Sequence, residues 1–366
     1  MGLDPVRPLA LLDPHRLGVG SLCPPLGLIP ADAWGLADLV ALKERQALPV
    51  HIVFPVKDDG ETANVAQLAA ILAPLAGPLI DQGWLACGAS DPGALAALPG
   101  KFPWLNLFPA RRLAPPDQGS GPWGKGAVMR AMLHHLLQGG VIRDQRAIIQ
   151  FFDADIRPAY FQPQWCLGPV GALLWFQEVA AVKTVYFRPR GGRLSTLLRS
   201  LLATIPHPGV QRLQEVLYLL SGEMAATMDF WSAVPFKTGY GVELLILLSL
   251  ALDQVQLQPG RPDLAALAQV FVGRMDHRHA PLCSTRGQAG LDQMAATVFA
   301  TLWEVLVQSG VLAWHSPTSA VGPLQIPVPG RRPSQPPQWL TVEVGEPTLP
   351  PLRTLADIGG VLGQEL

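Results

Sequence analysis

The run "IIQFFDADIRP" (148–158) sets two carboxylates, Asp153 and Asp155, one residue apart where an apolar, strand-forming stretch ends. Like charges that close repel unless a positive group lies between them or one is protonated. A solvated pair, or a cap on the next element, meets that condition, and so does a divalent cation. Magnesium and manganese take oxygen ligands, and magnesium usually combines one or two carboxylates with substrate phosphates. A D-x-D at a strand end therefore suits a nucleotide-diphosphate substrate whose leaving group needs its charge neutralised.

Four further stretches carry groups able to act with that pair. In "WGKGAVMRAM" (123–132) glycines flank Lys125 just before a helix, bringing an ammonium group and helix N-terminal amides toward an anion. The spacing is not that of a P-loop, and a solvated lysine in a glycine turn is the plainer alternative. "RPRGGRLST" (188–196) sets Arg193 and Ser195 behind Gly192 at a helix start, either a small phosphate cradle or a basic loop facing water. In "LLSGEMAATMDFWSAVPFKTGYGVELL" (219–245) glycines bracket Glu223, Tyr240 and Glu243. Glu243 also stands where a first-turn charge favours a helix. "DHRHAPL" (276–282) offers His277 or His279 as a metal ligand or as a surface histidine.

Strands and helices must hold these groups. "LPVHIVFPV" (48–56) reads as a buried strand broken by Pro55, "GWLACGAS" (83–90) as a second and "RAIIQFF" (146–152) as a third. Helical spacing marks "ADAWGLADLVALKERQ" (31–46), "TANVAQLAAILAPLAG" (62–77) and "GAVMRAMLHHLLQGG" (126–140). This alternation, with continuously apolar strands, predicts a parallel sheet covered on both faces. Ligands then bind outside the carboxyl ends of the strands, the rim that would hold Pro55, Ala86–Ser90 and Asp153–Asp155. Further on, 179–189 reads as a strand, 193–205 and 241–254 as helices, and 264–275 as a strand or helix. An amphipathic helix is expected over 290–310, a proline-rich extended arm over 316–352, and an irregular surface wrap over 1–33.

Composition narrows the class. At 366 residues, 49% hydrophobic and 15% charged, the chain supports one large or two medium folded domains rather than disorder. A net charge of −1 gives no basic footprint for nucleic acid. The most apolar run, from Leu244, meets Asp253 after Leu252, well short of the ~20 residues that span a bilayer. Residues 1–18 lack the pattern of a signal peptide. Cys23, Cys87, Cys166 and Cys283 lie far apart without CxxC spacing, which argues against disulfides or a zinc site. A soluble cytoplasmic protein without stable membrane insertion is expected.

Taken in order from about Trp34 to Leu282, these stretches resemble the glucosyl-3-phosphoglycerate synthase family of retaining glycosyltransferases. "LSGEMAA…VPFKTGYGVE" is the most specific part, and "DAWGLADLVALKERQALPVHIVFPVKDDGET" follows the family's helix, strand and loop. The resemblance implies an α/β GT-A fold, Rossmann-like, with a mostly parallel sheet flanked by helices and a helical or irregular acceptor region. It implies an N-terminal irregular segment and lead helix (1–45) and a transferase domain over 46–285. That domain's nucleotide-sugar part covers about 46–158 and its acceptor part about 159–285, with a C-terminal helix and proline-rich arm over 286–366. The implied activity moves a hexose, glucose from UDP-glucose, onto D-3-phosphoglycerate with Mg²⁺ or Mn²⁺, in a homodimer.

Carried residue by residue, Asp155 and His277 match the metal ligands, with Asp153 beside them. Pro55, Val56, Asp59, Lys125 and Asp153 match the donor side. Gly192, Arg193, Ser195 and Tyr240 match the acceptor side. Tyr240, Glu243 and Ser221 match groups at or behind the reacting centre. The chain departs from the family at Asp58 and Asp59, at Ala86 where an acidic residue is usual, and at Met275 and Ala280 beside His277. GDP-mannose as donor, free glycerate as acceptor, and a catalytically silent nucleotide-binding relative are the alternatives that these departures keep open.

Overall fold

The computed structural model describes residues 12–19, 26–118, 123–188, 193–255, 263–276, 290–312, 324–328, 338–342 and 348–353. In chain order, helix α1 (Pro14–Leu17) precedes strand β1 (Leu28–Pro30), helix α2 (Leu36–Gln46), β2 (Val50–Val56), α3 (Thr62–Leu72) and β3 (Gln82–Cys87). Then come α4 (Leu98–Lys101), β4 (Leu105–Pro109), α5 (Lys125–Gln138), β5 (Ile148–Phe151), α6 (Gln164–Trp175) and β6 (Ala181–Phe187). The helices α7 (Arg193–Ala203) and α8 (Pro208–Arg212) lead to β7 (Met224–Thr227), α9 (Met228–Ala233), β8 (Phe236–Lys237) and α10 (Val242–Ala251). The chain continues through β9 (Leu267–Arg274), α11 (Leu291–Gln308), β10 (Leu324–Val328), β11 (Gln338–Val342) and β12 (Thr348–Leu349).

Eight described strands form one sheet in the order β1-β9-β6-β7-β5-β2-β3-β4. All neighbours are parallel except β7, which runs antiparallel between β5 and β6. The strands are apolar on both faces, as parallel strands covered by helices must be. Along β2, Ile52 and Phe54 face a core built with α2, α3 and α6, while Val53 faces the one built with α5, α10 and α11. Helix α10, "VELLILLSLA", is apolar nearly all round and buried along almost its whole length, as such a composition requires.

Three expectations are corrected. Leu28–Pro30, placed by sequence in an irregular wrap, is an edge strand parallel to β9, with Leu26 and Ile29 fully buried. Pro55 does not break β2. It lies past the last pairing with β5, Val53–Phe151, where the strand has an edge and a missing N–H costs little. Within the expected arm, β10 and β11 pair with each other and β12 pairs with β8, with Leu349 and Leu352 in the core. The ambiguous 264–275 stretch is a 3₁₀ turn followed by strand β9.

The antiparallel insertion brings two remote segments to one edge. Because β7 starts at the rim where the parallel strands end, the residues before Met224 meet those after Phe151, its register partner.

Candidate active site

Asp153 and Asp155 follow β5 directly, at the carboxyl rim. Their neighbours Ala154 and Ile156 are buried in the core while the two aspartates are only partly covered, so the acids alternate outward. Asn64, in the first turn of α3, donates both amide hydrogens into this loop, to Ala154 O at 2.6 Å and Ile156 O at 2.7 Å.

Lys125 opens α5 and its ammonium group bridges two acids. It ion-pairs with Asp153 and lies 2.9 Å from Glu243 Oε1 in the first turn of α10. Burial alone would lower the lysine's pKa, but the charges of Asp153, Glu243 and Glu223 outweigh it and hold the group protonated. The glycines of "WGKG" allow this approach. A Cβ on Gly124 would lie 2.6 Å from Thr238 O, and one on Gly126 would collide with the Lys237 carbonyl. Ala127 N donates to Thr238 O at 3.0 Å, fixing the helix start on the segment that leads to Tyr240.

Gly222 lies on the other side of Lys125. A Cβ there would collide with Lys125 Nζ and stand 2.6 and 2.7 Å from the two Asp153 oxygens. Beneath it, the fully buried Lys183 donates to Ser221 O at 2.6 Å and Leu219 O at 3.3 Å. Burial lowers the Lys183 pKa to about 8 against the opposing charges of Glu243 and Glu223. Glu223, also fully buried, accepts from Tyr186 Oη at 3.2 Å. Sequence reading missed Asn64 and Lys183. A lysine inside the apolar run "AVKTVYF" is the signal for the second; nothing local marks the first.

The other residues expected from the sequence occupy varied places. Pro55 and Val56 end β2, with Val56 O accepting from Gly88 N at 2.8 Å. Asp59 opens an exposed 3₁₀ turn and its carboxylate lies against Gly93. Ser221 is buried, its hydroxyl donating to Tyr218 O at 3.3 Å, so it stands under the site. Ser195 is buried in the first turn of α7, and Tyr240 is 46% exposed ahead of α10. Ala86 is fully buried near the end of β3. Gly192 and His277 lie outside the described residues, as does the side chain of Arg193. Asp276, just before His277, accepts from Arg157 N at 3.0 Å, and its carboxylate faces Arg157 Nε at 3.6 Å and Arg188 Nε at 4.0 Å. The segment entering His277 is thus held beside the loop of Asp153 and Asp155.

Carboxylates cluster along this rim. Burial, aided by the charges of Asp155, Asp58 and Asp153, raises the Glu61 carboxyl to about 7, against the Lys57 N–H that hydrogen-bonds it at 2.8 Å. Burial and the Asp155 charge likewise push the Tyr240 phenol up. Partly covered carboxylate oxygens, hard donors close to one another, fit a hard divalent cation. No group of three metal-ligating side chains occurs among the described residues.

No family model matches the chain. It is 30% identical over 316 residues to the glucosyl-3-phosphoglycerate synthase of Mycolicibacterium paratuberculosis, covering 81% of each chain. The chain belongs to the glucosyl-3-phosphoglycerate synthase family. The fold is similar to that of glucosyl-3-phosphoglycerate synthase from Mycobacterium tuberculosis, solved with Mn²⁺, uridine diphosphate and phosphoglyceric acid. That likeness has a TM-score of 0.66 and 28% identity over 88% of this chain and 95% of the other. Mannosyl-3-phosphoglycerate synthase from Rubrobacter xylanophilus shares the fold with a TM-score of 0.71, at 24% identity over 90% and 97% of the two chains. The expected α/β fold of GT-A type, a mostly parallel sheet flanked by helices, is therefore borne out for this member of the family. No described helix is long and apolar enough to cross a membrane.

Proposed function

We propose that this chain is a retaining hexosyltransferase that moves glucose from UDP-glucose to D-3-phosphoglycerate, giving glucosyl-3-phosphoglycerate. The observation that carries this is the Lys125 bridge between Asp153 and Glu243, which joins the acid loop to the start of α10 at one point of the rim. Membership of the family supports the same assignment. The proposed transferase unit spans 46–285, with β1, α2 and α11 completing its sheet and cores, and works as a cytoplasmic homodimer.

In this reading Pro55, Val56, Asp59, Lys125 and Asp153 receive the donor. Gly192, Arg193, Ser195 and Tyr240 receive the acceptor, with the Arg193 guanidinium pairing to its anionic groups. Glu243 orients the reacting hydroxyls, its carboxylate steered by Lys125, while Ser221 and Gly222 set the floor. Asp155 and His277 would hold Mg²⁺ or Mn²⁺, which when bound would supply charge neutralisation for a diphosphate leaving group. Lys125 brings a second, fixed positive charge to the same region, where developing negative charge needs it.

Buried Ala86, where the family's acidic residue is usual, favours a second reading of the donor alone: another nucleotide sugar such as GDP-mannose. Assays of UDP-, GDP- and ADP-sugars against phosphoglycerate and glycerate separate the two. Turnover with UDP-glucose and phosphoglycerate is expected. Turnover with GDP-mannose only moves the donor assignment, and none with any pair overturns the catalytic reading.

A further inference from the structure

We infer that Asn64 is a positioning residue for the metal-binding loop: its amide holds residues 154–156 so that Asp155 presents its carboxylate to the cation. This rests on the proposed metal site at Asp155.

Both partners of the Asn64 amide are carbonyl oxygens, Ala154 O and Ile156 O, at 2.6 and 2.7 Å. Carbonyls only accept, so the NH₂ group must face them and both of its hydrogens are used. The peptide planes on either side of the Asp155–Ile156 pair are thereby pinned to helix α3. The side chains of Ala154 and Ile156 are locked in the core, 3% and 0% exposed. Asp155 is left suspended between two anchored neighbours, each gripped by its side chain on one face and its carbonyl on the other. Asn64 itself is only 8% exposed, so water has little access to replace it.

Mg²⁺ demands near-ideal ligand geometry at about 2.0–2.1 Å, and sites of this kind tolerate displacements of only about 0.5 Å. The like charges of Asp153 and Asp155 repel each other, a repulsion offset at Asp153 by its ion pair with Lys125. Asn64 opposes that repulsion through neutral backbone groups, without contributing charge to the site. Outer-shell partners of this type typically change metal affinity by about 10–100-fold when removed.

The test measures Mn²⁺ binding directly, by the loss of the free-ion electron paramagnetic resonance signal, in wild type, Asn64→Ala and Asn64→Ser. Gln46→Ala serves as a control, because Gln46 makes a similar amide-to-carbonyl bond, to Leu174 O at 2.9 Å, ahead of β2 and away from the rim. Circular dichroism fixes a temperature at which each variant is folded. A roughly 10–100-fold rise in Kd is expected for Asn64→Ala, a smaller rise for Asn64→Ser, which keeps one shorter donor, and no change for Gln46→Ala. Wild-type affinity in folded Asn64→Ala overturns the inference, as does an equal loss in Gln46→Ala. If Asn64→Ala does not fold, unchanged affinity in Asn64→Ser overturns it instead. A wild type that binds no Mn²⁺ overturns the metal reading and this inference together, an outcome seen before any variant is made.

Discussion

The place that a Cβ on Gly222 would occupy is filled by the Lys125 ammonium group. A glycine on the loop before β7 is therefore matched to a lysine at the start of α5, and through it to Asp153 and Glu243. Gly222→Ala should displace the lysine from both acids. Overpacking of this kind costs about 1–3 kcal/mol, so a moderate fall in Tm is expected. A fall of roughly 10²-fold in kcat should accompany it, the scale of losing one preorganised electrostatic contact. Gly222→Ala with unchanged kcat would mean that the bridge is dispensable.

Asp155→Ala should separate metal chemistry from folding. Removing one of two close carboxylates relieves repulsion, and Asp155 already helps to raise the Glu61 carboxyl. Tm should hold or rise slightly, while transfer falls by about 10²–10³ or more. Chelation of divalent cations should reduce wild-type turnover and leave the variant's residual rate nearly unaffected. Unfolding of the variant, or transfer within a few-fold of wild type, would mark the carboxylates as structural.

Arg193→Ala should act on the acceptor alone. Loss of a guanidinium that pairs with an anion removes binding made equally in ground and transition states, which appears in KM rather than kcat. A rise in KM for phosphoglycerate, with KM for the sugar nucleotide and the Mn²⁺ requirement unchanged, is the expected kinetic result. A change confined to donor KM would contradict the assignment.

His51 should make the fold acid-sensitive. Burial, opposed by Asp81, lowers its pKa from 6.5 to about 4. The folded state thus favours neutral imidazole. That contribution is fully present above about 6.5 and is lost as pH falls from there toward 4. Its Nδ1 faces Trp84 Nε1 at 3.4 Å, so an amide can stand in its place. His51→Asn should show a smaller fall in Tm between pH 7 and pH 5 than wild type. Parallel Tm profiles would remove His51 as the cause.

Much of the fold is legible in the chain because its strands are continuous apolar runs and its longer helices are long apolar or amphipathic stretches, α5 also meeting a glycine stop at Gly139. "IIQFF" ends where two carboxylates begin, and β5 ends there too. "WGKG" reads as a helix start and is one. Leu28–Pro30 was not legible, because a three-residue edge strand carries too little pattern to distinguish it from a proline-rich loop. Pro55 misled for a related reason: whether a proline breaks a strand depends on which neighbour would have needed its N–H.

The sequence by itself determined which groups stand at strand and helix ends, since periodicity, burial and turn chemistry are local properties of a few consecutive residues. It therefore determined the α/β class and most of the list of candidate groups. Only the tertiary structure decided who meets whom. Lys125 and Glu243 are 118 residues apart and touch because β7 enters the sheet against the direction of its neighbours and the glycines beside Lys125 seat α5 on Lys237 and Thr238, at the end of β8. Asn64 reaches Ala154 across 90 residues, with no pattern around it to mark it. Such pairings depend on strand order and helix seating, which are fixed by burial summed over the whole core and by close approaches between backbones. No short stretch carries that information, because the energy that selects the arrangement belongs to all of the packed elements at once.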